Sequence, residues 1–459
     1  MHTTRRNLLK TMLLGAGGLG LRGLVAGIPA SLLASAHRAA AQTTDTCDAS
    51  VLPGQDPAVH RPQRLILITS AGGDPLNANV PGCYVPGIYH PDVDGFRSSA
   101  PGTLTLGNTS WACASPWERL VTDHPAIHDR ICFFHHGTYT VAHGDHAKVN
   151  AYMGAIRRGE MLCALAARHV HTCAPKPTTQ AAPALLSDVL IRYTGAVLPV
   201  LDRNGLATIL SQPALNSTSD RLRKLRDADQ DALRSLLSQS ASPAQRTALD
   251  AYLQAQTDAR LVDPTLVASI NDWHGTWQQQ LNTTAAVLLA MNVAPGVVLS
   301  YDFGGDNHSD YGLNNEASAT TESVAALGDL YQKLVDRNLQ DDVTIVVQNV
   351  FGRTLCAENR SGNTNGRDHN AGHHCTVIIG KGFTGSVIGG VIKAGTDFRA
   401  DAVDSRSGAR GGDIAYEATL ASVGKTICAG AGISRAVIDD QITSGKIVEA
   451  ALIPELRAA

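Results

Sequence analysis

The chain has 459 residues, of which 44% are apolar and 17% charged, with a formal net charge of −3. That composition excludes a disordered polar chain, and the length suits one large α/β domain with insertions, or two domains, rather than one minimal core. The slightly acidic balance, with no basic stripe interleaved with aromatics, gives no general attraction for nucleic acid.

Residues 1–41 begin with Thr4-Arg5-Arg6-Asn7-Leu8-Leu9-Lys10, continue as a Gly/Leu/Ala-rich apolar stretch broken by Arg22, and end at Ala39-Ala40-Ala41. This pattern predicts a twin-arginine export signal, the twin-arginine export machinery as a partner, and a periplasmic or secreted protein. Loss of the segment removes five basic residues and no acid, which takes the charge from −3 to −8. All nine cysteines lie beyond it, so some pairing is expected in an oxidising compartment, and an odd number leaves at least one unpaired within the chain.

Residues 42–62 read as a polar linker, and 63–459 as the folded domain. The apolar run RLILITSAGGD (64–74) predicts a strand of a sheet covered on both faces, ending in a glycine turn. Residues 75–114, rich in Pro, Gly and Asn, predict a long surface loop. SPWERL (115–120) predicts a helix start with Ser115 as cap, Pro116 in the first turn and Glu118 closing a capping box. RICFF (130–134) predicts a second strand, and 145–170 one long helix. Residues about 180–290 are charged and helical in period, an inserted helical subdomain. The alternation then resumes: a strand at 296–303, a helix at 317–338, strands at 342–350 and 374–380, and a closing helix at 413–432. Strand and helix in alternation predict an α/β fold, a mostly parallel sheet with helices on both faces.

In such sheets ligands bind beyond the carboxyl ends of the strands, so the turns there carry the chemistry. The first ends at Asp74. The second holds His135, His136, His143, Asp145 and His146. The third holds Asp302, Asp306, His308 and Asp310. After the strand at 342–350 come Arg353 and then Arg367, Asp368, His369, His373 and His374. Carboxylate oxygens and imidazole nitrogens are ligands of zinc, manganese and iron, and four such turns on one rim could surround one or two ions. Asp and His are also ordinary turn residues: His124 and His128 read as surface positions, and Asp145 as a helix cap.

The ordered set of twin-arginine signal, RLILITSAGGD, HAKVNAYMG, DFGGDNH, FGRT and GRDHN resembles the exported family known as domain of unknown function 1501. That family is similar to the alkaline-phosphatase-like and sulfatase-like superfamily. The resemblance covers 63–432, with 180–290 poorly matched. The chain departs from the pattern in four places: Gly72-Gly73 runs directly into Asp74, the third motif lacks its tryptophan, Asn349-Val350 stands where Ser-Glu is usual, and Lys148 stands where an acid often does. The resemblance implies an alkaline-phosphatase-like domain. Asp74, Asp306, His308, Asp368 and His369 would hold a divalent metal (zinc, manganese or iron), Arg353 and Arg367 would neutralise an anionic ester oxygen, and His146 would do acid–base work. The implied reaction is hydrolysis of a small phosphate or sulfate ester. Thr138 and Thr140 are the hydroxyls near the second strand. Two other readings stand beside this one: a binding or assembly module of the cell envelope with a degraded site, and a redox or other metalloprotein centred on His135, His136, His373 and His374.

Overall fold

The computed structural model describes residues 63–173, 183–186, 192–193, 196–198, 200, 275–290, 294–356 and 366–458. Their centre is a seven-stranded sheet. In chain order its strands are β1 (Arg64–Ile68), β4 (Ile131–His136), β5 (Ala184–Leu185), β8 (Gly296–Leu299), β9 (Val343–Val347), β12 (His374–Ile379) and β13 (Ser386–Ile388). Hairpins account for β2 (Gly102–Leu106) with β3 (Thr109–Cys113), β6 (Arg192–Tyr193) with β7 (Ala196–Val197), β10 (Gly352–Arg353) with β11 (His369–Asn370), and β14 (Val391–Ala394) with β15 (Asp397–Ala400).

The spatial order of the sheet is β13-β4-β12-β9-β1-β8-β5. All pairings are parallel except those of β12, which runs antiparallel to both β4 and β9. The predicted mostly parallel α/β fold is therefore present, with one reversed strand inside it. That reversal matters, because the segment before β12 then arrives at the same rim as the carboxyl ends of β1, β4, β8 and β9.

Strand β1 shows why both faces are covered. Ile66 and Ile68 enter one core, with helices α1 (Ser115–Asp123), α5 (Trp277–Ala290) and α6 (Asn314–Val335). Leu65 and Leu67 enter the other, with α4 (Leu162–Cys173) and α7 (Thr419–Gly430). Side chains alternate across a strand, so a continuous apolar run needs apolar cover on both sides.

Several expectations are corrected. The 75–114 stretch is no surface loop: Pro75–Ala78 is a buried 3-10 turn, and Val80, Cys83, Ile88 and Phe96 join the core. Helix α1 is capped at Ala114 without a side-chain hydrogen bond, so Ser115 and Glu118 form no capping box. The helix expected over 145–170 is broken into α3 (His146–Asn150), two 3-10 turns and α4. Tyr152, Met153 and Arg158 adopt left-handed φ values of 51°, 53° and 63°, which an α-helix does not tolerate. Most of the expected insertion at 180–290 lies outside the described residues, as do residues 1–62. Its described ends belong to the core: β5 extends the sheet beside β8, and α5 packs Leu281, Ala285 and Leu288 into the first core.

Candidate metal centre

Four segments converge at the rim. The turn after β1 passes through Gly73, whose φ is +63°; a Cβ there would fall 1.9 Å from the Phe351 ring. This turn aims the Gly72 and Gly73 carbonyl oxygens at Arg353, which donates to both, at 2.7 Å in the case of Gly72. Arg353 in turn sits in register with His369 across the β10–β11 hairpin. The turn after β8 is tied to the same hairpin by backbone bonds: Gly366 N–H donates to His308 O (3.1 Å) and Arg367 N–H to Asn307 O (3.2 Å). Any side chain at residue 366 would meet Asn307 O at 2.0 Å, so glycine is what permits this approach.

The result is a cluster of Asp306, His308, Asp368, His369 and His143 on the partly open rim. Two overlapping groups of potential ligands, His143/Asp306/His369 and His308/Asp368/His369, each have their ligand atoms within 4.8 Å of one another. Hydrogen bonds to carbonyls fix the tautomers of His143 and His369. His143 Nδ1 donates to Ala71 O (2.7 Å) and His369 Nδ1 to Val141 O (2.8 Å), since a carbonyl can only accept. Both rings therefore offer a lone pair at Nε2. His308 Nε2 lies 3.3 Å from Arg353 Nη1, while its Nδ1 faces Asp368 Oδ1 at 3.6 Å. An outer N–H on a carbonyl or carboxylate is how metal-ligating histidines are usually oriented.

His308 Nε2 and His369 Nε2 stand 2.9 Å apart, with His369 Nε2 as an acceptor and the His308 tautomer deciding whether a proton lies between them. Asp306 Oδ1 lies 3.0 Å from the first and 3.7 Å from the second, and His143 Nε2 lies 3.5 Å from Asp306 Oδ2. Such acceptors repel unless a proton or cation sits among them. Burial, then the positive charge of Arg353, holds the His369 ring below its usual basicity. Ligands about 2.0–2.2 Å from one ion stand about 3–3.5 Å apart, close to the separations found here. Burial works against charge on Asp306, but the Arg353 hydrogen bond and charge outweigh it and hold the carboxyl below the usual range.

Four of the sequence candidates are placed together as expected: Asp306, His308, Asp368 and His369. Asp74 is not with them. It is fully buried, accepting from Asn349 Nδ2 (2.6 Å), Phe303 N–H (3.3 Å) and Ser70 Oγ (3.3 Å), and it pins the ends of β1, β8 and β9. Burial, and then the charge of Asp302, pushes its carboxyl up to about 7. Arg353 is at the centre but fully buried, spending its donors on Asp306 and the glycine carbonyls, so it orients a ligand rather than meeting a substrate. Arg367 is corrected outright: it is fully buried, bridging Glu316 at 2.7 and 3.0 Å and donating to Thr354 O and Tyr89 O. His146 starts α3 with Nδ1 3.2 Å from His143 O, and it belongs to neither ligand group. His143, three residues earlier, is the ring that reaches Asp306. Nothing in linear spacing separates those two histidines, and nothing marks Glu316 as the partner of Arg367.

A third group, Cys83/His135/His373, is fully buried and could also hold a metal ion. No protein-family model matches the chain, and no curated protein matches it. Among the described residues no helix is long and apolar enough to cross a membrane.

Proposed function

We propose that this chain is an exported, metal-dependent hydrolase of small phosphate or sulfate esters, of the domain of unknown function 1501 type and alkaline-phosphatase-like plan. The observation that carries the reading is the convergence of two imidazole nitrogens 2.9 Å apart, one of them on a ring whose outer nitrogen is committed to Val141 O, with a carboxylate oxygen 3.0 Å away. Histidine nitrogen with carboxylate oxygen suits zinc, manganese or iron. Such an ion supplies Lewis acidity toward an ester oxygen and makes water a nucleophile near neutral pH. His143, Asp306, His308, Asp368 and His369 would hold it, with Arg353 fixing the Asp306 carboxylate. The nearby hydroxyls are turned to other work: Thr140 Oγ1 donates to Asp145 Oδ2 (2.7 Å) and Thr138 Oγ1 faces Ala371 O. That favours water over a side chain as nucleophile.

One observation favours a second reading, a non-catalytic binding module: Val350, where the resemblance expects an acid, is a buried core residue. Metal analysis of the purified protein, followed by assays with phosphate mono- and diesters and sulfate esters, separates the two. The hydrolase reading expects about one ion per chain, lost on His308→Ala or His369→Ala together with ester hydrolysis. Bound metal without hydrolysis supports the binding module. A wild-type protein with no ion overturns the metal centre. Export is tested at the mature N-terminus, expected at Gln42 after removal of residues 1–41.

A further inference from the structure

Away from the rim centre, Cys83 Sγ, His135 Nδ1 and His373 Nε2 form a closed triangle in the core, with separations of 3.9, 4.0 and 2.9 Å. All three side chains are fully buried. They come from different segments: the loop after the 75–78 turn, the end of β4, and the residue before β12. His135 Nε2 donates to Pro81 O (2.9 Å), which leaves Nδ1 as a lone pair aimed into the triangle, the orientation a metal ligand requires.

Charge and ligand number decide which ion fits. Among the described residues the group has three members and no carboxylate. The nearby Arg367 is matched by Glu316, so it leaves no spare negative charge. With the thiol deprotonated, one thiolate and two neutral imidazoles carry −1. A zinc ion would leave an unbalanced positive charge in the core and lack its fourth ligand. A monovalent soft ion leaves the set neutral, and two histidines with one cysteine in a trigonal array is a copper-type set. Ligands about 2.0–2.3 Å from an ion in a trigonal plane lie about 3.5 Å apart, so the rings must separate by about half an ångström as the sulfur closes by a similar amount.

We infer that Cys83, His135 and His373 form a buried trigonal site for copper(I), separate from the rim centre and independent of the hydrolase reading. On binding, the Cys83 thiol releases its proton and the sulfur–copper bond forms; no electron is transferred. The chain without copper has its own arrangement of these atoms. Asn77 is locked by donating to Arg353 O (2.9 Å) and accepting from Arg353 N–H (2.8 Å), so its amide N–H faces His373 Nδ1 (3.1 Å). His373 then carries its proton on Nε2 and donates to His135 Nδ1. Copper replaces that proton and moves it to Nδ1, at the cost of the Asn77 contact, a small loss beside the free energy of a metal–ligand set.

Because the site is enclosed, the full chain is produced in copper-supplemented medium and purified under reducing conditions. Its copper, zinc, manganese and iron are then measured, and its copper X-ray absorption spectrum recorded. The expected result is one copper(I) per chain, resistant to a chromogenic copper(I) chelator, with a shell of one sulfur and two nitrogens. Copper falls at least tenfold in Cys83→Ser and is unchanged in His369→Ala. Folded wild-type protein without copper, copper that persists in Cys83→Ser, a sulfur-free or two-sulfur shell, or zinc occupying the same ligands each overturns the proposal. Should Cys83→Ser not fold, the absorption spectrum of the unaltered protein decides.

Discussion

Two arginines show how much a residue's role depends on what surrounds it. Arg353 and Arg367 are both fully buried, and both sit in motifs that read as anion-binding in sequence. Arg353 reaches Asp306 on the open rim, whereas Arg367 is enclosed with Glu316, which also accepts from Asn79 Nδ2 (2.9 Å) and Asn307 Nδ2 (3.0 Å). Removing one member of a buried pair strands the other's charge, a loss of about 3–5 kcal/mol. Arg367→Met is therefore expected to lower unfolding stability by that amount in urea titrations. Adding Glu316→Gln removes the stranded charge while keeping an amide oxygen for one of the two asparagines, so the double variant should unfold at higher urea than the single one. If the single variant unfolds like wild type, Arg367 is not the structural residue described here.

At the level of elements, the strands were legible because a continuous apolar run such as Leu65–Ile68 has few alternatives in a two-faced sheet. Direction was not: the run Cys375–Ile379 looks the same read as a parallel or an antiparallel strand, and only the pairing of Cys375 with His135 and Val377 with Val347 reverses it. The helix expected at 145–170 failed at left-handed residues, and Gly154 and Gly159 were the visible signs of its breaks. At the site, Asp306, His308, Asp368 and His369 could be found because they cluster in two short motifs. Cys83 and Glu316 could not, because their partners lie far along the chain, and His143 could be placed in its turn but not told apart from His146. At Gly366 the two motifs are joined backbone to backbone, so that glycine has a function although it offers no ligand. Gly366→Ala drives a methyl into Asn307 O and is expected to cut metal content at least tenfold, although it removes no ligand. Gly144→Ala, whose Cβ enters open space, should keep the metal. Equal metal in both variants would show that the 306–308 turn and the hairpin are held together by something else.

Among the described residues a set of buried or half-buried imidazoles is held neutral, and the acid stability of the whole molecule should reflect that. Burial, as the largest cause in each, lowers His90 to about 3, His135, His136 and His169 to about 4, and His373 and His374 well below 6.5. Below pH 6.5 the unfolded chain accepts protons at these rings and the folded chain refuses them. Their contribution is therefore complete above about 6.5 and is lost as pH falls toward 4. Asp74 acts in the opposite sense. Its buried carboxyl keeps a proton up to about 7 and would release it near 3.8 when unfolded, so it favours the fold increasingly as pH drops through that window. The lowered rings outnumber the two carboxyls raised by burial, Asp74 and Asp397, that act in the opposite sense, so net stability falls as pH drops below 6.5. Urea midpoints measured from pH 7.5 down to 4.5 should hold steady at first and then fall steeply below 6.5. Proton uptake on unfolding at pH 5.5 should amount to several per chain. A flat profile from 6.5 to 4.5 would mean that these histidines are not held as a neutral set, and the core site built on His135 and His373 would lose its basis.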